Sequence, residues 1–160
     1  MPAEKSHPPD AAAHRTITSS RLFAAGRERV FRAFSDPAQL AVWWGPKGFT
    51  NTIHTFDLKQ GGDWRYVMHG PNGADYRNEA KFLEVVGPER IVLEHVQPFH
   101  HFVMTMDFAE QAGRTELTWH MLFDSAAEVI AMREFIAQAN EENFDRLGVH
   151  LAAAAGKKAT

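Results

Sequence analysis

A single long helical stripe closing the chain after a series of strand-like runs constrains the fold more than any other feature. Over roughly 126–154, Val129, Met132, Ile136, Ala139, Leu147 and Leu151 recur every three or four residues, which is the pattern of a helix with one buried face. Ser125 and Glu128 match the S-x-x-E capping box that satisfies free N–H groups at a helix start. Asn143 falls in the middle of the apolar stripe. A buried amide without a partner costs about 1–3 kcal/mol, so this residue needs a partner or water. A long helix laid on a curved antiparallel sheet, with polar groups scattered along the contact, encloses a cavity.

The strand pattern precedes the helix. Arg15 to Phe23 reads as a first strand. Two short helices follow, Glu28 to Phe34 and Ala38 to Trp43, separated by Asp36-Pro37, with Asp36 or Ser35 as the cap of the second. After the WWGPKGF turn (Trp43 to Phe49) the runs Thr50–Leu58, Asp63–His69, Tyr76–Val86, Arg90–Gln97, His101–Ala109 and Thr115–Phe123 alternate as strands. Glycine-rich turns too short for crossovers join them, which predicts a meander of hairpins. Alternation predicts four inward sets: Trp64, Tyr66 and Met68; Ile91, Leu93 and His95; Phe102, Met104, Met106 and Phe108; Leu117, Trp119, Met121 and Phe123. Tyr76, Asn78, Ala80 and Phe82 form a fifth, and a bulge would flip any of them.

The run RVFRAFSDPAQLAVWWGPKGF (Arg29 to Phe49) resembles the opening signature of the SRPBCC superfamily, the START-like or helix-grip fold. Within it, the sequence is most similar to the branch containing the C-terminal domain of activators of heat-shock-protein ATPase. The motifs continue in order as FDLKQGGDWRYVMHGPNG, YRNEAKFLEVVGPERIVLEH and FDRLGVHL, so the resemblance covers about residues 15 to 154. It implies an α+β fold: a curved antiparallel β-sheet wrapped around the long C-terminal helix, with two short helices after the first strand. It also implies an internal cavity that binds hydrophobic small molecules in many members and supports cyclase, dehydratase or hydrolase chemistry in a few. The family often carries a Gly-Trp pair in the last helix where this sequence has Ala139-Asn140, a change that would enlarge the cavity and make it more polar. The co-chaperones bear a separate N-terminal domain, whereas only a short stretch precedes the first strand here, so a chaperone-activating role is not expected.

One domain over 15–155 is expected, with tails at 1–14 and 156–160 and Gly156 ending the helix. The formal charge of −3 gives no electrostatic reason to expect nucleic acid. No run approaches a membrane span or a signal peptide, so a cytoplasmic protein without membrane insertion is the expectation. The absence of cysteine excludes disulfides and thiol chemistry. His95, His100, His101 and His120 invite a metal, but adjacent strand residues face opposite ways and His120 lies opposite Trp119, so no metal and no cofactor is expected.

The reading is therefore a binder of a hydrophobic or amphipathic small molecule. Trp64, Tyr66, Met68, Phe102, Met104, Trp119 and Met121 would form apolar walls, and Tyr76, Asn78, His95 and Asn143 the polar contacts. Of Trp43 and Trp44, one is expected to pack inward and the other to lie near the entrance. The alternatives are a cyclase- or dehydratase-like enzyme using His95 or a tyrosine as acid–base, and a chaperone-related interaction module with a closed core. Homodimer formation is compatible with the family resemblance.

Overall fold

The computed structural model describes residues 11–97 and 100–159. Most of the expected N-terminal tail and the final residue lie outside the described residues. A 3-10 turn at Ala12–Arg15 leads into β1 (Thr16–Phe23), followed by α1 (Arg27–Ser35) and α2 (Pro37–Trp43). The meander β2 (Thr50–Phe56), β3 (Asp63–His69), β4 (Asp75–Val86), β5 (Arg90–Gln97), β6 (Phe102–Gln111) and β7 (Arg114–Phe123) comes next, and α3 (Ala126–Ala159) ends the chain. The sheet order is β1-β7-β6-β5-β4-β3-β2, with antiparallel neighbours throughout. β1 and β2 are the edges, and α1 and α2 connect them. This is the α+β helix-grip architecture. Among the described residues no helix is long and apolar enough to cross a membrane.

The local signals act largely as the sequence implies. Asp36 Oδ1 accepts the Ala38 N–H at 3.0 Å and caps α2, with Pro37 in its first turn. The GGxW turn depends on Gly62, where a Cβ would lie 1.9 Å from the Asp57 carbonyl oxygen. That close approach lets the turn pair with β4, Gly61 N–H donating to the Phe82 carbonyl and Phe82 N–H to the Gly62 carbonyl. The inward alternation holds on β3, β5, β6 and β7. On β4, bulges at Glu79/Ala80 and Phe82/Glu84 shift the register against β5, yet Ala80 and Phe82 remain inside.

Two expectations about α3 change. Ser125 Oγ accepts the Glu128 N–H at 3.1 Å, but the Glu128 carboxylate bonds His100 rather than closing the box. The helix also continues through Gly156 to Ala159, so this glycine is not its stop. α3 is held to the sheet edge by Arg21, which reaches Glu141 at 2.6 Å and Asp145 at 2.7 Å and lies 5.5 Å above the Phe144 ring. Beneath it, Phe144 meets Trp119 at 4.6 Å between ring centroids and Phe23 at 6.0 Å. At that level helix and sheet are in full contact. One to two turns earlier the helix presents Ile136, Ala139 and Asn140, and the two layers no longer fill the space between them.

Candidate functional site

The unfilled space is a cavity of about 430 Å³, open to solvent. Its lining comes from the α2–β2 loop, the inward faces of β3 to β7, and α3. Tyr66, Met68, Tyr76, Asn78, His95, Phe102, Met121 and Asn143, all anticipated from sequence, line it together. Trp64, Met104 and Trp119 do not. They are buried at 3 %, 3 % and 1 % exposure in the core beneath it. Trp64 stacks on Tyr66 at 4.2 Å, and Trp119 is covered by Phe144 and Trp44. An inward-facing side chain reaches the cavity only where the helix stands away from the sheet, and strand alternation carries no information about that.

The α2–β2 loop supplies a wall that alternation could not reveal. Trp43 Nε1 donates to the Ala33 carbonyl at 3.0 Å and its ring packs on Phe34, so this tryptophan belongs to the core. Trp44 is also buried, and it lines the cavity. Its Nε1 donates weakly to Tyr66 Oη at 3.4 Å. The half-buried Arg146 of α3 gathers the loop: its Nη1 lies 3.0–3.1 Å from the carbonyls of Trp44, Gly45 and Pro46, and its Nη2 donates to Val42 at 3.0 Å. Burial lowers the Arg146 pKa from its ordinary value. Gly45 occupies a positive φ of 104°, so the backbone calls for glycine, while the Met68 Cε 2.7 Å from where a Cβ would lie is a flexible side-chain end that can move. Its N–H donates to Asn143 Oδ1 at 3.2 Å, the partner that the buried amide in the stripe required. Phe135 is 78 % exposed and lines the mouth.

On the sheet side, His95 is 8 % exposed and stacks on Phe102 at 4.7 Å. The His100 carbonyl lies 2.9 Å from its Nδ1 and Asn78 Oδ1 lies 2.9 Å from its Nε2. A carbonyl only accepts, so Nδ1 carries the proton. Asn78 Nδ2 donates to the Tyr76 carbonyl at 3.0 Å, which turns Oδ1 toward the imidazole. The His95 pKa is nevertheless lowered, first by burial and then by the nearby His100 and His101, against the hydrogen bond to the His100 carbonyl. In the neutral ring Nε2 therefore carries a lone pair, and Asn78 Oδ1, also an acceptor, lies against it without a hydrogen bond. Burial pushes the Tyr66 hydroxyl above the ordinary tyrosine value, against the small opposing effect of the Trp44 N–H.

The remaining histidines point apart, His100 and His101 from the loop that precedes β6. His100 lines the cavity and pairs with Glu128 at 3.0 Å. His101 lies between Glu94 at 2.6 Å and Asp124 at 2.8 Å on the outer face, and His120 bonds Thr18 on β1. Among the described residues no three histidine, aspartate or glutamate side chains form a metal-holding group. Asn140, absent from the sequence-derived site, is buried in the wall with its Nδ2 on Ser19 Oγ at 3.1 Å. The departure at Ala139-Asn140 from the pattern that the resemblance implies was the signal that could have found it.

The sequence profile of the family described as "Activator of Hsp90 ATPase homolog 1-like protein" matches residues 24–152. The chain belongs to this family. Among solved structures, a protein from Arthrobacter aurescens is similar at a TM-score of 0.82 with 23 % identity, covering 89 % of each chain. A Nitrosomonas europaea protein also reaches 0.82 at 19 % identity, over 91 % of this chain and 99 % of its own. A Rhodobacter sphaeroides protein reaches 0.79 at 25 % identity, over 91 % and 96 %. No curated protein matches the sequence. The family assignment and the structural likenesses agree on the helix-grip fold, which commonly binds hydrophobic ligands.

Proposed function

We propose that this family member binds a hydrophobic or amphipathic small molecule between α3 and the sheet. The observation that carries the reading is the cavity of about 430 Å³, which falls in the range of small-molecule sites. Its walls are mainly aromatic and aliphatic, with two methionines, Met68 and Met121, that adapt to ligand shape. An interaction module with a closed core would lack this space. The enzyme alternative has His95 in the wall in its favour, but Asn78 Oδ1 lies 2.9 Å from Nε2, where the proton of a substrate would have to approach.

Native mass spectrometry of freshly purified protein, followed by denaturing extraction, tests the proposal. A stoichiometric adduct lost on denaturation is the expected result. A ligand-free mass, together with no rise in Tm across a panel of hydrophobic compounds, would refute it.

A further inference from the structure

Asn140 and Asn143 stand three residues apart on α3, hence on one face, and are 6 % and 7 % exposed. Each amide is anchored by one end. The Gly45 N–H can only donate, so it fixes Asn143 Oδ1 toward the loop and leaves Nδ2 over. Met121 Sδ, 3.5 Å from Asn140, can only accept; with Ser19 Oγ it fixes Nδ2 toward the sheet and leaves Oδ1 over. Neither Asn143 Nδ2 nor Asn140 Oδ1 makes a hydrogen bond among the described residues, and both residues line the cavity. The wall thus offers a donor and an acceptor one helical turn apart. A ligand group that pairs with both replaces water at polar atoms otherwise costly to cover.

The lining contains no Lys, Arg, Asp or Glu. His95 is held neutral by burial and His100 is already paired with Glu128. A charged head group would enter without a counter-charge, at a high desolvation cost. The aromatic share of the lining, Trp44, Tyr66, Phe102 and Phe123, favours a flat body.

We infer that the cavity selects a neutral ligand whose polar end joins a hydrogen-bond donor to an acceptor, a primary carboxamide or lactam, on a flat apolar body. This rests on the binding function proposed above. The test is calorimetric titration at about pH 8, where a carboxylic acid is ionised, with 2-naphthamide, 2-naphthoate and naphthalene as probes. The wild-type protein binds naphthamide about tenfold more tightly than naphthalene, the return from two neutral hydrogen bonds, with naphthoate weakest. Asn140→Leu removes one of the two bonds and lowers the naphthamide-to-naphthalene ratio to about threefold or less, with circular dichroism showing that the variant is folded. Naphthalene or naphthoate binding the wild type as tightly as naphthamide would overturn the inference, whether or not the variant folds. So would a naphthamide-to-naphthalene ratio that Asn140→Leu leaves unchanged. Failure of all three probes to bind would also overturn the inference, while the native mass spectrometry and Tm panel described above decide the binding function separately.

Discussion

Replacing Arg146 with methionine tests whether one side chain holds the cavity's loop wall. The substitution keeps an apolar stem against the helix and removes the guanidinium. Nη1 carries two hydrogens but faces three carbonyls, and Nη2 faces one, so the group makes the equivalent of about three charge-assisted bonds. At about 1.5–3 kcal/mol each the gross sum is large, but water re-solvates the freed carbonyls of a half-exposed loop. The net loss expected is about 2–4 kcal/mol, a large part of the stability of an ordinary domain. Equilibrium urea denaturation reads it as a lower midpoint with an unchanged slope. Arg146→Lys should recover less than half, because an ammonium is a point charge and cannot reach carbonyls fanned from Val42 to Pro46. A loss below about 1 kcal/mol for the methionine variant, or full rescue by lysine, would refute the clamp.

Four further substitutions address the turns and the histidines. Gly62→Ala should cost about 3 kcal/mol or more by urea denaturation, since its Cβ overlaps the Asp57 carbonyl. Gly73→Ala, with open space but a φ of +87°, should cost only about 1–2 kcal/mol; equal losses would contradict the steric account. His95 and His101 should shape stability in opposite senses around their ordinary value near 6.5. The His95 pKa is depressed in the fold, so the unfolded chain binds more protons and stability falls as pH drops below about 6.5. The His101 pKa is raised by Glu94 and then Asp124, so its contribution is complete below about 6.5 and is lost as pH rises through the folded value. His95→Gln should therefore flatten the acid limb of a urea-midpoint profile and His101→Gln the alkaline limb. Unchanged limbs would contradict the assignment.

The sequence by itself determined the order of the elements and which face of each strand turns inward. Alternation from Leu117 to Phe123 and the three-to-four spacing from Val129 to Leu151 are local periods, and the backbone obeys them wherever one face is buried. The long glycine- and tryptophan-bearing motifs carried the family for the same reason, because they mark turns whose backbone geometry tolerates little else. The tertiary structure alone decided where helix and sheet touch and where they part. Phe144 fills the gap over Trp119, whereas Ala139 and Asn140 leave it open, so Trp64, Met104 and Trp119 became core while Met68 and Met121 became cavity wall. The same holds for partners far apart in the chain: Arg146 on the α2–β2 loop, Asn143 on Gly45, and His95 between Asn78 and the His100 carbonyl. A hydrogen bond across such separations depends on how whole elements dock, and no local period records it.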